Sequence, residues 1–414
     1  MSCKEIVYVL YFAAMIRPIK LVFSFTCLCI LSIFSQLFAN VQPPRISAGQ
    51  AIIVDYDTGD ALFEKNADDL VPPSSMSKLM TIYVLFDKIK NGQFKLDDMF
   101  NISDTALLKS KKMERERGSH MGIHKMKPGD ILKVEDLIKG IIVLSGNDAC
   151  VVVAENVSGS EEAFVLEMMK YAKKLGMHNT FLKNASGWEM DGHLMSVRDL
   201  SVLASNLITN FPDFYHYFSL RQFIYDDKTL WNSFNRNDLL RSQIGTDGLK
   251  TGHTDKGGYS VTSSIKVGER RFIIVVNGIK TVNGAQQRFV EVKKLFNWAY
   301  HNFDSYLIFN AGDVITTADV WFGKQKQIKL TVKKPVIINL EKGIDVKNIK
   351  ATVAFNNPIV APIDSGVNVG KLILTLPNNV KKTFDLVTRD NIKSLSLFGK
   401  FFENIRQLIL SIVR

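Results

Sequence analysis

Cysteine is scarce in this chain of 414 residues, and its placement excludes a disulfide framework. Three of the 4 cysteines, Cys3, Cys27 and Cys29, lie close to the N-terminus, and Cys150 stands alone after them. No group of histidine and cysteine has the spacing of a metal site. The sequence therefore predicts no metal and no cofactor, and a fold that is stabilised by packing.

Nucleic-acid-binding motifs are also missing, although the formal net charge is +11. The basic residues are spread along the chain and do not form one cluster, so we predict no nucleic-acid partner. A basic protein of this kind suits work beside an anionic lipid surface or a cell-wall polymer.

Residues 1–39 are predicted to be a secretory signal peptide. An apolar run follows a basic flank at Arg17 and ends at the small residue Ala39. A further apolar run, Ile6–Ala14, lies ahead of it. Translation from Met15 would give a basic leader segment of ordinary length, so we expect the true start there.

The stretch Pro73-Ser74-Ser75-Met76-Ser77-Lys78 opens an apolar-periodic run that stops at Asn91-Gly92. This pattern predicts a helix that begins near Ser75. Unpaired backbone N–H groups and the helix dipole at that point suit a nucleophile that passes through an oxyanion. Lys78 lies one turn along the same face, so its amine can reach the Ser75 hydroxyl. The stretch therefore predicts a Ser/Lys dyad.

A Ser-x-x-Lys match is weak when it stands alone, because a chain of this length should contain roughly one by chance. Ser263-Ser264-Ile265-Lys266 is such a chance match. It lies in a run typical of a β-strand, where residues i and i+3 point to opposite faces. No dyad can form there.

Two tripeptides follow the dyad in order. Ser145-Gly146-Asn147 lies at a predicted junction of two helices, and Lys250-Thr251-Gly252 precedes a predicted strand. Each tripeptide is expected in roughly one chain in ten. A looser Ser-x-Asn match, Ser233–Asn235, shows that the middle element is weak alone. All three in this order are far less expected by chance.

The remaining pattern predicts an α+β fold, with an antiparallel sheet packed on a helical cluster over residues 43–302. A turn at Asp57–Asp60 predicts a hairpin, and Lys109–Arg117 is expected to be a polar loop. The other predicted elements are helices at Val134–Leu144, Ala149–Asn156, Glu161–Leu175, Val197–Asn210 and Val290–Asn302, and strands at Tyr259–Val267 and Arg271–Asn277.

The C-terminal part has a different character. Residues 305–390 hold short alternating runs separated by glycine, proline and asparagine, which predict an all-β domain. Residues 393–414 place apolar side chains at helical spacing, with too few continuous apolar residues to span a bilayer. We expect an amphipathic helix that lies in the membrane surface. The alternative is a helix docked on the β domain.

The three motifs together resemble the signature of penicillin-recognising serine acyltransferases. More narrowly, Pro73–Thr81, Ser145–Ala149 and Asp247–Thr254 resemble the motifs of low-molecular-mass D-alanyl-D-alanine carboxypeptidases. The resemblance runs from about residue 43 to the C-terminus. It implies the penicillin-binding, β-lactamase-like transpeptidase fold, followed by a β-rich C-terminal domain and a terminal anchor.

The resemblance implies that Ser75 attacks the carbonyl between two D-alanines to give an acyl-enzyme, which water then hydrolyses. Lys78 can act as the base only when neutral, so burial and a nearby cation such as Lys250 should lower its pKa. Ser145 can relay a proton to the leaving amine, and Asn147 can hydrogen-bond the substrate amide.

The third motif is expected to bind the substrate. Lys250 and Thr251 would hold the terminal carboxylate, and Gly252 would let the substrate backbone pair with the strand. By resemblance, the backbone N–H groups of Ser75 and His253 form the oxyanion hole. The resemblance also aligns two arginines with family residues near the site, Arg236 and Arg288.

The implied partners are peptidoglycan stem peptides as substrates and β-lactams as inhibitors. The implied location is the periplasmic face of the bacterial cytoplasmic membrane, with peripheral anchoring through the C-terminal helix. Three alternatives stay open: a D,D-endopeptidase, a serine β-lactamase, and a non-catalytic wall-binding scaffold. The Glu-x-x-x-Asn pattern of class A β-lactamases is absent between the second and third motifs, which disfavours the lactamase.

Overall fold

The structure is a computed structural model that describes residues 42–116, 119–225 and 233–412. Cα positions divide the described residues into two compact units, 42–301 and 302–412. The predicted signal peptide and the predicted start at Met15 lie outside the described residues.

The first unit contains helices and short and long strands. Its helices are α1 (Lys78–Lys90), α2 (Asp104–Arg115), α3 (Val134–Ile142), α4 (Asn147–Ser158), α5 (Glu161–Lys174), α6 (Val197–Asn210) and α7 (Gly284–Asn302). Its strands are β1 (Gln50–Asp55), β2 (Ala61–Lys65), β3 (Met99–Asn101), β4 (Ile131–Lys133), β5 (Thr180–Phe181), β6 (Leu194–Met195), β7 (Thr246–Thr254), β8 (Gly258–Val267) and β9 (Arg270–Ile279).

Five of these strands form one antiparallel sheet in the order β2-β1-β9-β8-β7. Side chains of a strand alternate between its two faces. Ile273 and Val275 accordingly join the core of the helical cluster, while Ile274 and Val276 join a second core under α7. The predicted α+β fold is confirmed. Strand β7 lies at one edge, so one side of its backbone is open to pairing.

Helix α1 lies at the centre of the helical cluster. Residues Lys78–Phe86 are all buried, so its first turns are enclosed on every side. The helix ends at the residues predicted to stop it, with Asn91 as the C-cap and Gly92 at a φ of 75°. The polar residue Lys78, at the start of this helix, therefore lies in the core.

Two sequence predictions in this unit are wrong. Lys109–Arg117 was expected to be a loop, but α2 occupies residues 104–115. The Ser103 hydroxyl caps this helix by accepting a hydrogen bond from the Ala106 N–H at 2.9 Å. The helix buries only a narrow stripe of side chains, so the charged residues of its exposed face gave a sequence pattern typical of a loop. The third motif was expected to precede a strand, but Lys250–Gly252 lies inside β7.

The second unit is built of β-strands, as predicted, followed by one described helix. Its elements are β10 (Phe303–Phe309), β11 (Val314–Trp321), β12 (Gln327–Thr331), β13 (Val336–Glu341), β14 (Lys350–Phe355), β15 (Ile359–Val360), β16 (Asn368–Thr375), β17 (Lys381–Thr388) and α8 (Leu397–Ile412). One sheet has the order β14-β16-β17-β12-β11-β15, and β10 pairs with β13. Among the described residues of this unit, one 3₁₀ turn, Val346–Asn348, interrupts the strands.

Candidate active site

A cavity of about 780 Å³ lies beside the edge strand β7. Its walls come from the turn before α1, the loop between α3 and α4, and β7 itself. All three sequence motifs line it, together with both predicted arginines. The residues that line it include Ser75, Ser119, Ser145, Asn147, Trp188, Glu189, Arg236, Thr251, Gly252, His253, Thr254, Asp255 and Arg288.

The predicted dyad forms at the start of α1. Ser75 lies in a 3₁₀ turn, Ser74–Ser77, and Lys78 is the first residue of the α-helix. The Lys78 ammonium donates to the Ser75 hydroxyl at 2.9 Å, to Asn147 Oδ1 at 2.6 Å and to the Ser186 carbonyl at 2.5 Å. Three acceptors use all three donor hydrogens of the amine. The first two motifs therefore meet at the Lys78 nitrogen.

Burial makes the amine of Lys78 less basic than that of an ordinary lysine. Its side chain is fully buried, and this burial lowers its pKa to about 8, with further repulsion from Arg236. Burial also lowers the pKa of Lys250 well below its usual value, and Lys78 adds repulsion there. The neutral amine is thus accessible near physiological pH, which general-base chemistry requires.

The second motif is held in an uncommon backbone conformation. Ser145 is buried and has a φ of 60°, a left-handed value that few non-glycine residues adopt. The Gly146 N–H donates to the Gly140 carbonyl at 3.0 Å, and the Asn147 N–H donates to the Ser119 carbonyl at 2.9 Å. The Ser145 hydroxyl and the Asn147 amide consequently enter the cavity from a fixed loop.

The third motif presents its backbone along the cavity. Lys250 and Thr251 are buried in β7, whereas His253 is exposed and stacks on Tyr259 with ring centroids 3.9 Å apart. A Cβ on Gly252 would stand 2.5 Å from the Ser260 hydroxyl and 3.0 Å from the Pro73 carbonyl. Glycine is therefore needed because β7 packs closely against the turn that carries Ser75.

The two predicted arginines differ in their surroundings. Arg288, on α7, is buried and donates to the Gly252 carbonyl at 3.2 Å, and burial lowers its pKa to about 10. Arg236 is exposed and donates to the Ser119 hydroxyl. Within the described ranges, no carboxylate forms an ion pair with Lys78, Lys250 or Arg288. The charge of Lys250 and Arg288 is left available to an incoming anion, whereas the hydrogens of Lys78 are already donated within the protein.

The sequence motifs do not include the segment Asn184–Trp188, which contributes Gly187 and Trp188 to another wall. Its Ser186 carbonyl is the third acceptor of Lys78. Asn184 Oδ1 holds the turn by accepting from the N–H groups of Ser186 at 3.1 Å and Gly187 at 2.7 Å. A Cβ on Gly187, whose φ is 75°, would stand 2.0 Å from the Ser74 carbonyl. An Asn-x-x-Gly turn was the available signal, but nothing in the sequence placed it against the dyad.

Asp148 is a second contributor that the sequence interpretation left without a role. Its buried carboxylate accepts hydrogen bonds from the N–H groups of Met121 at 2.7 Å, Gly122 at 3.2 Å and Ile123 at 3.1 Å. It also accepts from the Ser110 hydroxyl at 2.9 Å. These bonds tie the loop that carries Ser145 and Asn147 to the chain on the far side of the cavity.

Replacing Asp148 by asparagine is expected to lower the free energy of unfolding by about 2–4 kcal/mol, because an amide NH₂ would face buried N–H donors. Urea denaturation followed by tryptophan fluorescence measures this. Asp136→Asn is the matched control, since Asp136 is partly exposed and its nearest cation, Lys139, is 4.0 Å away. Its expected cost is below about 0.5 kcal/mol. Equal costs for the two variants would contradict the role given to Asp148.

Comparison with known proteins agrees with this geometry. The family profile described as D-alanyl-D-alanine carboxypeptidase matches residues 38–281, and the profile of the C-terminal domain of penicillin-binding protein 5 matches residues 303–394. The chain is 33% identical over 374 residues to D-alanyl-D-alanine carboxypeptidase DacF of Bacillus subtilis, which covers 88% of this chain and 92% of that protein.

Solved structures show the same relationship. Penicillin-binding protein 5 of Haemophilus influenzae matches with a TM-score of 0.77 and 30% identity, over 86% of this chain and 100% of that one. Penicillin-binding protein D2 of Listeria monocytogenes in its ampicillin-bound form matches with a TM-score of 0.54 and 31% identity, over 63% of this chain and 100% of that one. Because the family profile spans more than half of the chain and the relatives span most of it, this protein belongs to the serine-type D-alanyl-D-alanine carboxypeptidase family.

Proposed function

We propose that this protein removes the terminal D-alanine from peptidoglycan stem pentapeptides through an acyl-enzyme on Ser75. The observation that carries the proposal is the contact of 2.9 Å between Lys78 Nζ and Ser75 Oγ, beside a cavity that is also lined by the buried Arg288. A serine hydroxyl is a poor nucleophile until a neighbouring base takes its proton. Lys78 supplies that base, and its low pKa makes it available.

In the first step, Ser75 Oγ forms a bond to the carbonyl carbon between the two D-alanines while its proton moves to Lys78. Breakdown of the tetrahedral intermediate releases D-alanine, whose amine takes a proton relayed by Ser145. Water then hydrolyses the ester and frees Ser75. The backbone N–H groups of Ser75 and His253 stabilise the oxyanion in both steps. Asn147, which already accepts from Lys78 at 2.6 Å, can also orient the substrate amide.

Substrate binding follows from the charge and the open edge of β7. The terminal carboxylate is placed beside Lys250 and Thr251, where Arg288 adds positive charge from behind the strand. Arg236 contributes at the exposed mouth of the cavity. Gly252 leaves the backbone of β7 accessible, so the stem peptide pairs with it as an added strand. β-Lactams enter the same cleft and acylate Ser75, in keeping with the ampicillin-bound relative.

Release of D-alanine from a synthetic stem pentapeptide tests this function, with nitrocefin hydrolysis and cleavage of cross-linked stems measured in parallel. The proposal expects rapid D-alanine release and slow nitrocefin turnover. Fast nitrocefin turnover without D-alanine release would identify a β-lactamase, and faster cleavage of cross-links would identify an endopeptidase. No turnover of any substrate would leave the wall-binding scaffold.

The proposed chain has three parts after the signal peptide. Residues 43–302 form the carboxypeptidase domain, residues 305–390 the β-rich domain, and residues 393–414 the anchor. The signal peptide at 1–39 exports the chain, and the mature enzyme works at the periplasmic face of the cytoplasmic membrane. The searched part of the chain, which is the described part, has no helix long and apolar enough to cross a membrane.

The anchor proposal is supported by the surface of α8. Phe398, Phe401 and Phe402 are 79%, 61% and 66% exposed, while Glu403 is buried and its carboxylate accepts from Lys326 at 2.6 Å. A helix docked by its apolar face would show the opposite arrangement. The exposed aromatic stripe suits insertion into the boundary between headgroups and acyl chains.

Replacing Phe398, Phe401 and Phe402 by serine is expected to weaken binding to anionic lipid vesicles by at least about tenfold, because three aromatic side chains no longer enter the bilayer. Vesicle sedimentation measures the bound fraction. The matched control replaces three exposed aromatic residues elsewhere in the chain, Phe181, Phe234 and Trp321, by serine. Equal binding by both triple variants would argue against the anchor.

A further inference from the structure

The cavity continues past the dyad toward the C-terminal end of β7. Its lining includes Thr254 and Asp255 at that end of the strand, and Trp188 and Glu189 from the segment after Gly187. At about 780 Å³ it lies in the upper part of the range that holds drug-sized ligands. A terminal D-alanyl-D-alanine dipeptide alone is a small ligand for this volume. The cavity has room for the preceding residue of the stem.

The position of that third residue follows from the proposed function, on which this inference rests. An added strand advances about 3.3 Å per residue. If the terminal carboxylate lies at Lys250 and Thr251, the third residue lies about 7 Å further along β7, beside His253 and Thr254. Glu189 lines the same cavity, and its carboxylate lies 3.5 Å from the backbone nitrogen of Lys256, two residues beyond Thr254.

Glu189 stands on a part of the chain that is fixed in place. The Asn184 side chain donates to the Trp188 carbonyl at 2.8 Å, and the Trp188 N–H donates to the Ser186 hydroxyl at 3.2 Å. Gly187, one residue earlier, packs against the Ser74 carbonyl. The side chain of Glu189 is 28% exposed, so its charge is partly shielded from solvent. A carboxylate held here interacts with a ligand more strongly than a mobile surface carboxylate does.

The existing partner of Glu189 is loosely held. Its carboxylate lies 3.6 Å from the Lys256 ammonium, and Lys256 has a shorter contact of 3.1 Å with Asp191. The Lys256 side chain is 64% exposed. An incoming ammonium can therefore replace Lys256 at Glu189 while Lys256 keeps its bond to Asp191. Exposed ion pairs of this kind are weak and exchange readily.

We propose that Glu189 is a specificity-determining residue that binds the side-chain ammonium of a diamino acid at the third position of the stem. Lys256 pairs with the Glu189 carboxylate when no substrate is bound, and the ammonium of the substrate replaces it. The subsite favours stems with a free side-chain amine over stems in which this amine is blocked.

The test compares two pentapeptides that differ only at the third residue, which is lysine in one and Nε-acetyl-lysine in the other. The measured quantity is the ratio of their kcat/KM values for D-alanine release. The wild-type protein is expected to favour the free amine by about fivefold. In Glu189→Gln the ratio is expected to fall to about one, because the ammonium loses its partner. In Lys256→Met, which removes the competing ammonium, the ratio is expected to rise roughly twofold.

Asp255→Asn is the matched control. Asp255 lines the same part of the cavity but is exposed, so its removal should leave the ratio near the wild-type value. The proposal would be overturned by a ratio near one in the wild-type protein or by an unchanged ratio in Glu189→Gln. It would also be overturned if the ratio fell to about one in Asp255→Asn. Equal release from both peptides would count against the subsite alone. Absence of release from both would count against the proposed function.

Discussion

Ser75→Ala is expected to abolish covalent labelling by a fluorescent penicillin and to lower D-alanine release by at least about 10⁴-fold. In the proposed mechanism Ser75 provides the atom that becomes acylated, so its removal eliminates the covalent route rather than slowing it. In-gel fluorescence measures the labelling. Mass mapping of the wild-type adduct is expected to place it on the peptide that contains Ser75.

The control for this substitution lies two residues away in the same turn. Ser77 is buried, and its hydroxyl has no hydrogen-bond partner among the described residues. Ser77→Ala therefore changes the same functional group in the same element, without touching Lys78. It is expected to retain labelling within about twofold. An adduct on Ser77, or labelling that survives in Ser75→Ala, would show that the nucleophile is misassigned.

The central part of the site could be predicted because its residues are close together in the sequence. Ser75 and Lys78 are three residues apart at a helix start, and helix geometry alone brings such side chains together. Pro73 ahead of them and Gly92 beyond α1 marked the two ends of the helix. The second and third motifs were found by their residue types and order, and the structure brings Asn147 to within 2.6 Å of Lys78.

The contributors that the sequence missed act over long distances in the chain. Ser186 reaches Lys78 from 108 residues away, and Asp148 binds a segment more than 20 residues before it. Neither contact produces a periodic pattern in the amino-acid sequence. Helix α2 was missed for a related reason, because it buries only Ala106, Leu107 and Ser110 and most of its other positions are polar. Amphipathic periodicity is weak when the buried stripe is narrow.

The β-rich unit shows how far strand patterns can be trusted. Strand β14, Lys350–Phe355, is one of the short alternating runs that predicted the all-β domain, and turn residues set both of its ends. Strand β17 was not predicted. Its first five residues, Lys381–Asp385, are exposed or half-buried and include three charged side chains. Its place is set by pairing with β16 and β12, which are distant features of the fold.

Lys78→Met is expected to lower the rate constant of acylation at saturating β-lactam by about 10²–10⁴-fold, because the general base is lost. The pH profile gives a second signature. Burial lowers the pKa of Lys78 to about 8. Only the neutral amine accepts a proton, so wild-type acylation should rise about tenfold per pH unit below this value and level off above it. Stopped-flow fluorescence measures the rate constant at each pH.

The variant should lose this rise as well as the rate, which separates the base from a merely structural lysine. Lys90→Met, at the exposed end of the same helix, is the control and should keep both the wild-type rate and the wild-type profile. If Lys78→Met still showed a rise centred near pH 8, another group would be the base. Saturating ligand is essential here, because Lys250 also has a lowered pKa and its deprotonation would weaken binding of the carboxylate without altering the chemical step.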